Sequence, residues 1–252
     1  MNRSLLNVKF FLFVSLMLSA VIFSSQQGIQ AQTAAVELDW ITQVVYPPTE
    51  DRGAPSRTTG SGTRGECSAS MANSETDKLT ALTPLNNIST TLDPHPTLYF
   101  YVPAVQHVQA ELTLYNWTKR DRTPVYQTQL SLNSTQGIVK VTLPDTVKLQ
   151  PNLTYAWNFS IYCDSNPTET AQYVDGWLER VILPHNKQAK LQQLQQQPLA
   201  VAQLYAEAGV WNETLEILSQ MRLTYPQVWR EFLASVELNH LEEYPVINSD
   251  DN

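Results

Sequence analysis

The sequence predicts a mainly β protein: an antiparallel, immunoglobulin-like β-sandwich followed by a small C-terminal α-helical hairpin of tetratricopeptide type. Three observations carry this. Five short segments between Leu98 and Cys163 are rich in β-branched and aromatic residues, each bounded by Pro, Asn, Asp or Gly. No helical pattern separates them, which argues for strands of an antiparallel sandwich. After Pro184 the composition turns to Gln, Leu and Ala, with breaks at Gly209 and Pro226 that suit short helices.

Taken in order, the chain opens with a segment outside the fold. Arg3 and Lys9 form a basic start, Phe10 to Phe23 is an apolar run, and small and polar residues follow to Ala31. This reads as a secretory signal peptide over residues 1–31, because so short an apolar run does not span a bilayer. Losing Arg3 and Lys9 takes the formal charge of the 252-residue chain from −8 to −10. An exported protein this acidic is a poor nucleic-acid binder, since phosphate neutralisation needs a clustered basic face. No later segment approaches a membrane span.

The sandwich domain is expected over residues 37–183. Glu37 to Tyr46 has strand composition and stops at Pro47 and Pro48. A Gly/Arg-rich loop, 51–67, holds four of the eight glycines and one of the two cysteines. From Ser68 to Pro96 the chain is polar, with Leu79 and Leu82 expected to tie it down. The five strand segments are Leu98–Val102, Val108–Trp117, Val125–Leu132, Gly137–Leu143 and Thr154–Cys163. In the last, Tyr155, Trp157, Phe159, Ile161 and Cys163 alternate with more polar residues, so one face is apolar. Gln172 to Leu183 fits a strand by composition and a helix by spacing, and a final strand is favoured.

A Gln-rich connector, 184–197, leads to the helical unit, 198–240. Pro198 opens a helix that Gly209 ends, Asn212 caps a second through Leu223, and Pro226 opens a third. Tyr205, Gly209, Leu218 and Pro226 stand at the offsets of a single tetratricopeptide-type hairpin. Leu204, Leu215 and Leu218 are expected to pack inward. Residues 241–252 form an acidic tail.

Chemistry-bearing motifs are few. Gly60, Gly62 and Gly65 match GxGxxG, but no strand leads into them and no helix follows. Glu66 stands where a phosphate-binding loop needs lysine. His95, His107, His185 and His240 have no metal-ligand spacing. Neither a cofactor nor a metal is expected. Cys67 and Cys163, two cysteines in an exported chain, favour one disulfide over two buried thiols. Arg52, Arg57 and Arg64 concentrate positive charge among glycines. They form either a shallow anion-binding site or a set of internal hydrogen bonds holding the loop, the second being favoured. Of Trp117, Trp157, Trp177, Trp211 and Trp229, a carbohydrate platform is one reading and core packing the better one. Trp211 or Trp229 is expected to remain open for docking a partner. Asn87, Asn116, Asn133, Asn152, Asn158 and Asn212 each begin an N-x-S/T sequon.

The succession RGAPSRTTGSGTRGEC, LTALTP, PTLYFYVP, GIVKVTLP, YAWNFSIYCD and VDGWLERV resembles the exported cyanobacterial family called domain of unknown function 928. AGVWNETLEIL resembles that family's C-terminal part, so the resemblance spans roughly Pro47 to Leu238. It implies export, a bacterial host and incidental sequons, and it implies no activity. The expectation is a non-enzymatic binding or assembly module of the cell envelope, in the periplasm or outside the cell, whose partner is another envelope protein or polymer. The alternative is a hydrolase of an envelope polymer, with a carboxylate such as Asp164 or Asp175 at the sheet's end.

Overall fold

In a computed structural model, the described residues are 43–55, 78–104, 108–118, 123–132, 136–163 and 166–248, with the side chains of 108, 163 and 166–171 excepted. All belong to one compact unit, residues 43–252. The signal peptide over 1–31, Arg57, Arg64, Cys67 and Asp164 lie outside the described residues, as does the side chain of Cys163.

The five segments read from the sequence are all strands. They are β3 (Thr97–Val102), β4 (Val108–Asn116), β5 (Pro124–Leu132), β6 (Gly137–Thr142) and β7 (Thr154–Cys163). The ambiguous segment is a strand as well, β8 (Asn166–Arg180). Gly176 is the residue that made a helix doubtful, and its true constraint is space. A Cβ there would lie 2.5 Å from the Trp157 ring and 2.7 Å from Asn87 Oδ1. The polar stretch after Ser68 contributes two short strands, β1 (Thr80–Ala81) and β2 (Ile88–Thr91), and β9 (Val246–Asn248) comes from the tail.

Two sheets result, ordered β1-β3-β6-β9 and β2-β8-β7-β4-β5. Leu98, Phe100, Val139 and Val141 of the first meet Leu112, Trp157, Phe159 and Val174 of the second in one core. Phe100 stacks on Phe159 at 4.1 Å and meets the Trp157 edge at 5.4 Å. The expectation of purely antiparallel pairing is corrected at two edges. β2 pairs with β8, and β9 with β6, in parallel. Both edge strands arrive over long connections, which leave strand direction free, whereas the hairpin-linked β4 and β5 are antiparallel.

The expected strand Glu37–Tyr46 is corrected where it is described: Gln43–Tyr46 joins no sheet. Its extended chain is held by tertiary bonds instead. Tyr46 N–H donates to Ser235 Oγ at 3.1 Å, and the Tyr46 hydroxyl donates to the Gly209 carbonyl at 2.9 Å. Burial pushes that hydroxyl up to about 12.

Four helices follow: α1 (His185–Leu194), α2 (Pro198–Glu207), α3 (Trp211–Met221) and α4 (Pro226–Ala234). The connector is therefore largely helical. Gly209 ends α2 at φ +68°, a conformation that suits glycine. Leu204, Leu215 and Leu218 are buried, as their spacing indicated. Asn212 is not the cap of α3, because Val210 holds that position. The Asn212 amide instead donates to the Thr97 carbonyl on β3 at 2.9 Å. Tyr99 and Tyr101 are buried on the β3 face opposite the core residues, and Tyr101 packs on Tyr244 at 4.7 Å. The helices thus cover the outer side of the four-stranded sheet, while on the outer face of β8, β7 and β4 Tyr173 is exposed, Asn158, Asp175 and Trp177 are half-buried, and Thr113 and Ser160 are buried.

Candidate functional site

Side-chain alternation decides what that outer face carries. With Gly176 and Trp157 turned inward, Trp177 and Asp175 turn outward, and register aligns Tyr115, Ala156 and Trp177 across β4, β7 and β8. The next row is Thr113, Asn158 and Asp175, and the one after it is Glu111, Ser160 and Tyr173. Trp117, 50% exposed at the end of β4, packs against Trp177 with ring centroids 5.5 Å apart and planes tilted by 37°. Tyr173 is also exposed. Aromatic rings therefore rim a polar strip. Within the strip Ser160 Oγ donates to Asn158 Oδ1 at 2.7 Å. Thr113 Oγ1 and Gln129 Nε2 each donate to the Glu111 carboxylate at 3.4 Å. Asp175, flanked on its strand by Tyr173 and Trp177, has its pKa raised by burial.

One edge of this face is closed by the start of the Gly/Arg-rich segment. Arg52 donates both guanidinium arms to Glu179, at 2.8 and 2.9 Å, and Asn87 Nδ2 donates to the Pro55 carbonyl at 3.0 Å. Of the three arginines read as a possible anion site, Arg52 is engaged by a carboxylate of the protein itself, and Arg57 and Arg64 lie outside the described residues. Its pKa is raised by that hydrogen bond.

The aromatic residues proposed for docking lie elsewhere and are corrected here. Trp211 is 1% exposed and Trp229 2%. Trp211 stacks on Phe232 at 5.0 Å and meets Tyr46 edge-on at 4.9 Å. Trp229 Nε1 donates to the Glu242 carbonyl at 3.1 Å. Rings this large close the joint between helices and sheet, so neither is open to a partner. Trp117, read mainly as core, is instead half exposed, with Trp177 half-buried against it. Their sequence signal was position: Trp117 immediately follows β4, and Trp177 is out of phase with Val174, Gly176 and Leu178.

Two cavities lie on the other side of the molecule. One, of about 250 Å³, is lined by Asp93, His95, Lys140, Asn212, Glu213 and Glu216. Glu213 has its pKa raised by burial, yet Oε1 accepts bonds from Thr91 Oγ1 and the Leu92 and Asp93 amides at 2.9, 2.7 and 3.1 Å. That carboxyl latches the β2–β3 connection to the first turn of α3. The other, of about 430 Å³, lies beside Arg222, Leu223 and Glu242, and Leu223 is 84% exposed. Among the described residues, no group of three or more His, Cys, Asp or Glu gathers as metal ligands, and no helix is long and apolar enough to cross a membrane. Asn87, Asn116 and Asn212 of the sequons are buried.

Comparison with curated proteins finds no match. Among solved structures, the chain is similar to β-glucuronidase from Parabacteroides merdae with glycerol in its active site, at 11% identity over 61% of this chain and 25% of that one, with a TM-score of 0.23. A second structure of the same organism's β-glucuronidase gives 9% identity over 77% of this chain and 28% of that one, with a TM-score of 0.25. The chain spans about a quarter of those enzymes' length, and likeness at these scores carries no argument about fold or activity. The family comparison is decisive: the model of Domain of Unknown Function (DUF928) matches residues 59–246, and the chain belongs to that family.

Proposed function

We propose that this protein is an exported, non-enzymatic binding module of the bacterial cell envelope, and that it binds through the open face of the five-stranded sheet. The observation that carries the reading is Trp117, 50% exposed and packed on half-buried Trp177, in a chain that buries its other described tryptophans, Trp157, Trp211 and Trp229. Large aromatic side chains left in water cost free energy unless a partner covers them. In this reading the two sheets act as an immunoglobulin-like framework, and α2–α3, tetratricopeptide-like in its offsets, buttresses it from behind. A cyanobacterial host and a periplasmic or extracellular location belong to the same proposal.

The hydrolase reading draws on Asp175, whose raised pKa suits a general acid. Glycosidic or comparable hydrolysis pairs two carboxylates about 5–9.5 Å apart. The register gives Asp175 no such partner among the described residues. Glu111 lies two strands away, roughly 10 Å across the sheet before any offset along it. Glu179 is four residues along β8 and holds Arg52. Binding is therefore the better reading of the face.

The test is retention of the mature protein on purified bacterial cell-wall sacculi. The double variant Trp117→Ala/Trp177→Ala is expected to keep the wild-type circular dichroism spectrum and lose retention. Undiminished retention by the folded double variant overturns the assignment of function to this face. Release of soluble fragments from the sacculi, abolished by Asp175→Asn, establishes the hydrolase instead.

A further inference from the structure

Resting on the reading of this face as a binding surface, we propose that its ligand is a neutral polysaccharide chain. Aromatic and polar chemistries alternate along the face. Trp117 and Trp177 stand at one end and Tyr173 at the other, with half-buried Asn158 and Asp175 between them, underpinned by buried Thr113 and Ser160. A protein or lipid partner that relies on apolar burial needs a contiguous apolar patch, and here the rings are separated by a polar strip. A pyranose chain has the complementary pattern. Its C–H faces lie on aromatic rings, and its equatorial hydroxyls reach donors and acceptors at the level of the sheet.

The polar strip is prepared for hydroxyls. Asn158 has its Oδ1 engaged by Ser160, which orients the amide and leaves its Nδ2 donors for a ligand oxygen. Asp175 offers an acceptor that burial between aromatic neighbours has already stripped of part of its water, so a hydroxyl donating to it forms a charge-assisted bond at reduced desolvation cost. Glu111 is held by Thr113 and Gln129 and supplies a second acceptor. Tyr173 and Trp177 are four residues apart on β8, roughly 13 Å along the strand, a span that several sugar rings occupy and one ring does not.

Charge narrows the class further. The described charged groups on this face are half-buried carboxylates, Glu111, Asp175 and Glu179, the last paired with Arg52 at the edge. A polyuronate, a teichoic-type phosphate polymer or an anionic lipid surface meets like charge there. A neutral glycan does not.

The experiment is titration of the mature protein with three soluble probes: β-glucan oligosaccharides, N-acetylglucosamine oligomers and polygalacturonate. Tryptophan fluorescence and calorimetry are the readouts. At least one neutral series is expected to bind, more tightly with chain length and with little dependence on salt. Trp117→Ala and Trp177→Ala are each expected to weaken it about 3- to 10-fold. Asn158→Ala is expected to weaken it with the fluorescence of the free protein unchanged, and Leu223→Ser, on the opposite side, to leave it intact. Trp117 is half exposed, so its variant remains informative even if Trp177→Ala fails to fold. Binding only to polygalacturonate overturns the proposal, as does neutral binding that ignores both tryptophans or no binding to any neutral probe. If the neutral probes fail while retention on sacculi still depends on Trp117 and Trp177, the binding face stands and its glycan specificity falls.

Discussion

The Trp211 indole donates its Nε1–H to the carbonyl of Leu82 at 2.9 Å, across 129 positions of sequence. The bond is buried, and it fastens the first turn of α3 to the segment that follows β1. Trp211 N–H also donates to Thr90 Oγ1 at 2.9 Å, and the Gly209 carbonyl accepts from Tyr46. The helical unit is thereby part of the fold's core.

Trp211→Ala is accordingly expected to cost about 3–5 kcal/mol, the cavity left by a large core aromatic. Trp211→Phe keeps most of the packing and orphans the Leu82 carbonyl, for about 1–3 kcal/mol. Urea unfolding followed by circular dichroism measures both. Truncation after Pro184, which also removes β9 from the edge of β6, is expected to abolish cooperative unfolding. A truncated chain that unfolds cooperatively with native midpoint shows the helices to be an appendage.

Asn87 sits at φ +56° and bonds three ways, accepting from Thr83 Oγ1 and donating to the Pro55 and Asp175 carbonyls. Asn87→Ala removes those bonds and leaves an alanine in the left-handed region, for an expected loss of about 2–4 kcal/mol. Asn87→Gly relieves the backbone term alone and is expected to recover about 1 kcal/mol of it. Equal losses in the two variants, measured by the same unfolding assay, remove the backbone part of the argument.

Glu213 gives the stability a pH signature. Burial raises its folded pKa above the ordinary 4.5, so the folded state holds its proton more tightly than the unfolded chain. Its contribution is fully present below pH 4.5 and is lost as pH rises through the folded value. Glu213→Gln keeps an oxygen for Thr91, Leu92 and Asp93 and removes the ionisation. The stability difference between variant and wild type is expected to grow in the variant's favour as pH rises from about 4 toward neutrality. A difference that is flat with pH, in urea midpoints taken across that range, contradicts it. Asp175 shifts in the same direction and is common to both proteins, so it cancels in the comparison.

The Arg52–Glu179 pair is expected to contribute little, because Arg52 is 52% exposed and its charge is screened. Arg52→Gln should cost less than about 1 kcal/mol and matter less at high salt. A loss of several kcal/mol in thermal unfolding makes the pair a principal anchor of the segment.

Cys67 and Cys163 remain proposed as a disulfide on the grounds of export and cysteine count. Peptide mapping without reductant is expected to recover the cross-linked pair, and loss of the bond to cost about 4 kcal/mol in the chain-entropy limit. Recovery of both as alkylated thiols from the native compartment ends the proposal.

Local pattern was enough for much of this molecule. Alternation in Thr154–Cys163 gave β7 its inward row, Pro and Gly placed the ends of α2 and α4, and the leucines of the helical unit declared their buried side. These features are set by steric preference and by a period of 2 or 3.6, and both are written within a few neighbouring residues. Direction of pairing was not written there. The parallel edges β2 and β9 depend on where long connections deliver the chain, which is a property of the whole path. Nor does composition tell one tryptophan from another. Trp211 and Trp229 are buried because helices and sheet close over them, whereas Trp117, on the outer face of the five-stranded sheet, stays half exposed against a half-buried Trp177. Secondary structure follows from local chemistry, whereas exposure, and with it the candidate site, follows from which face of each element another element covers.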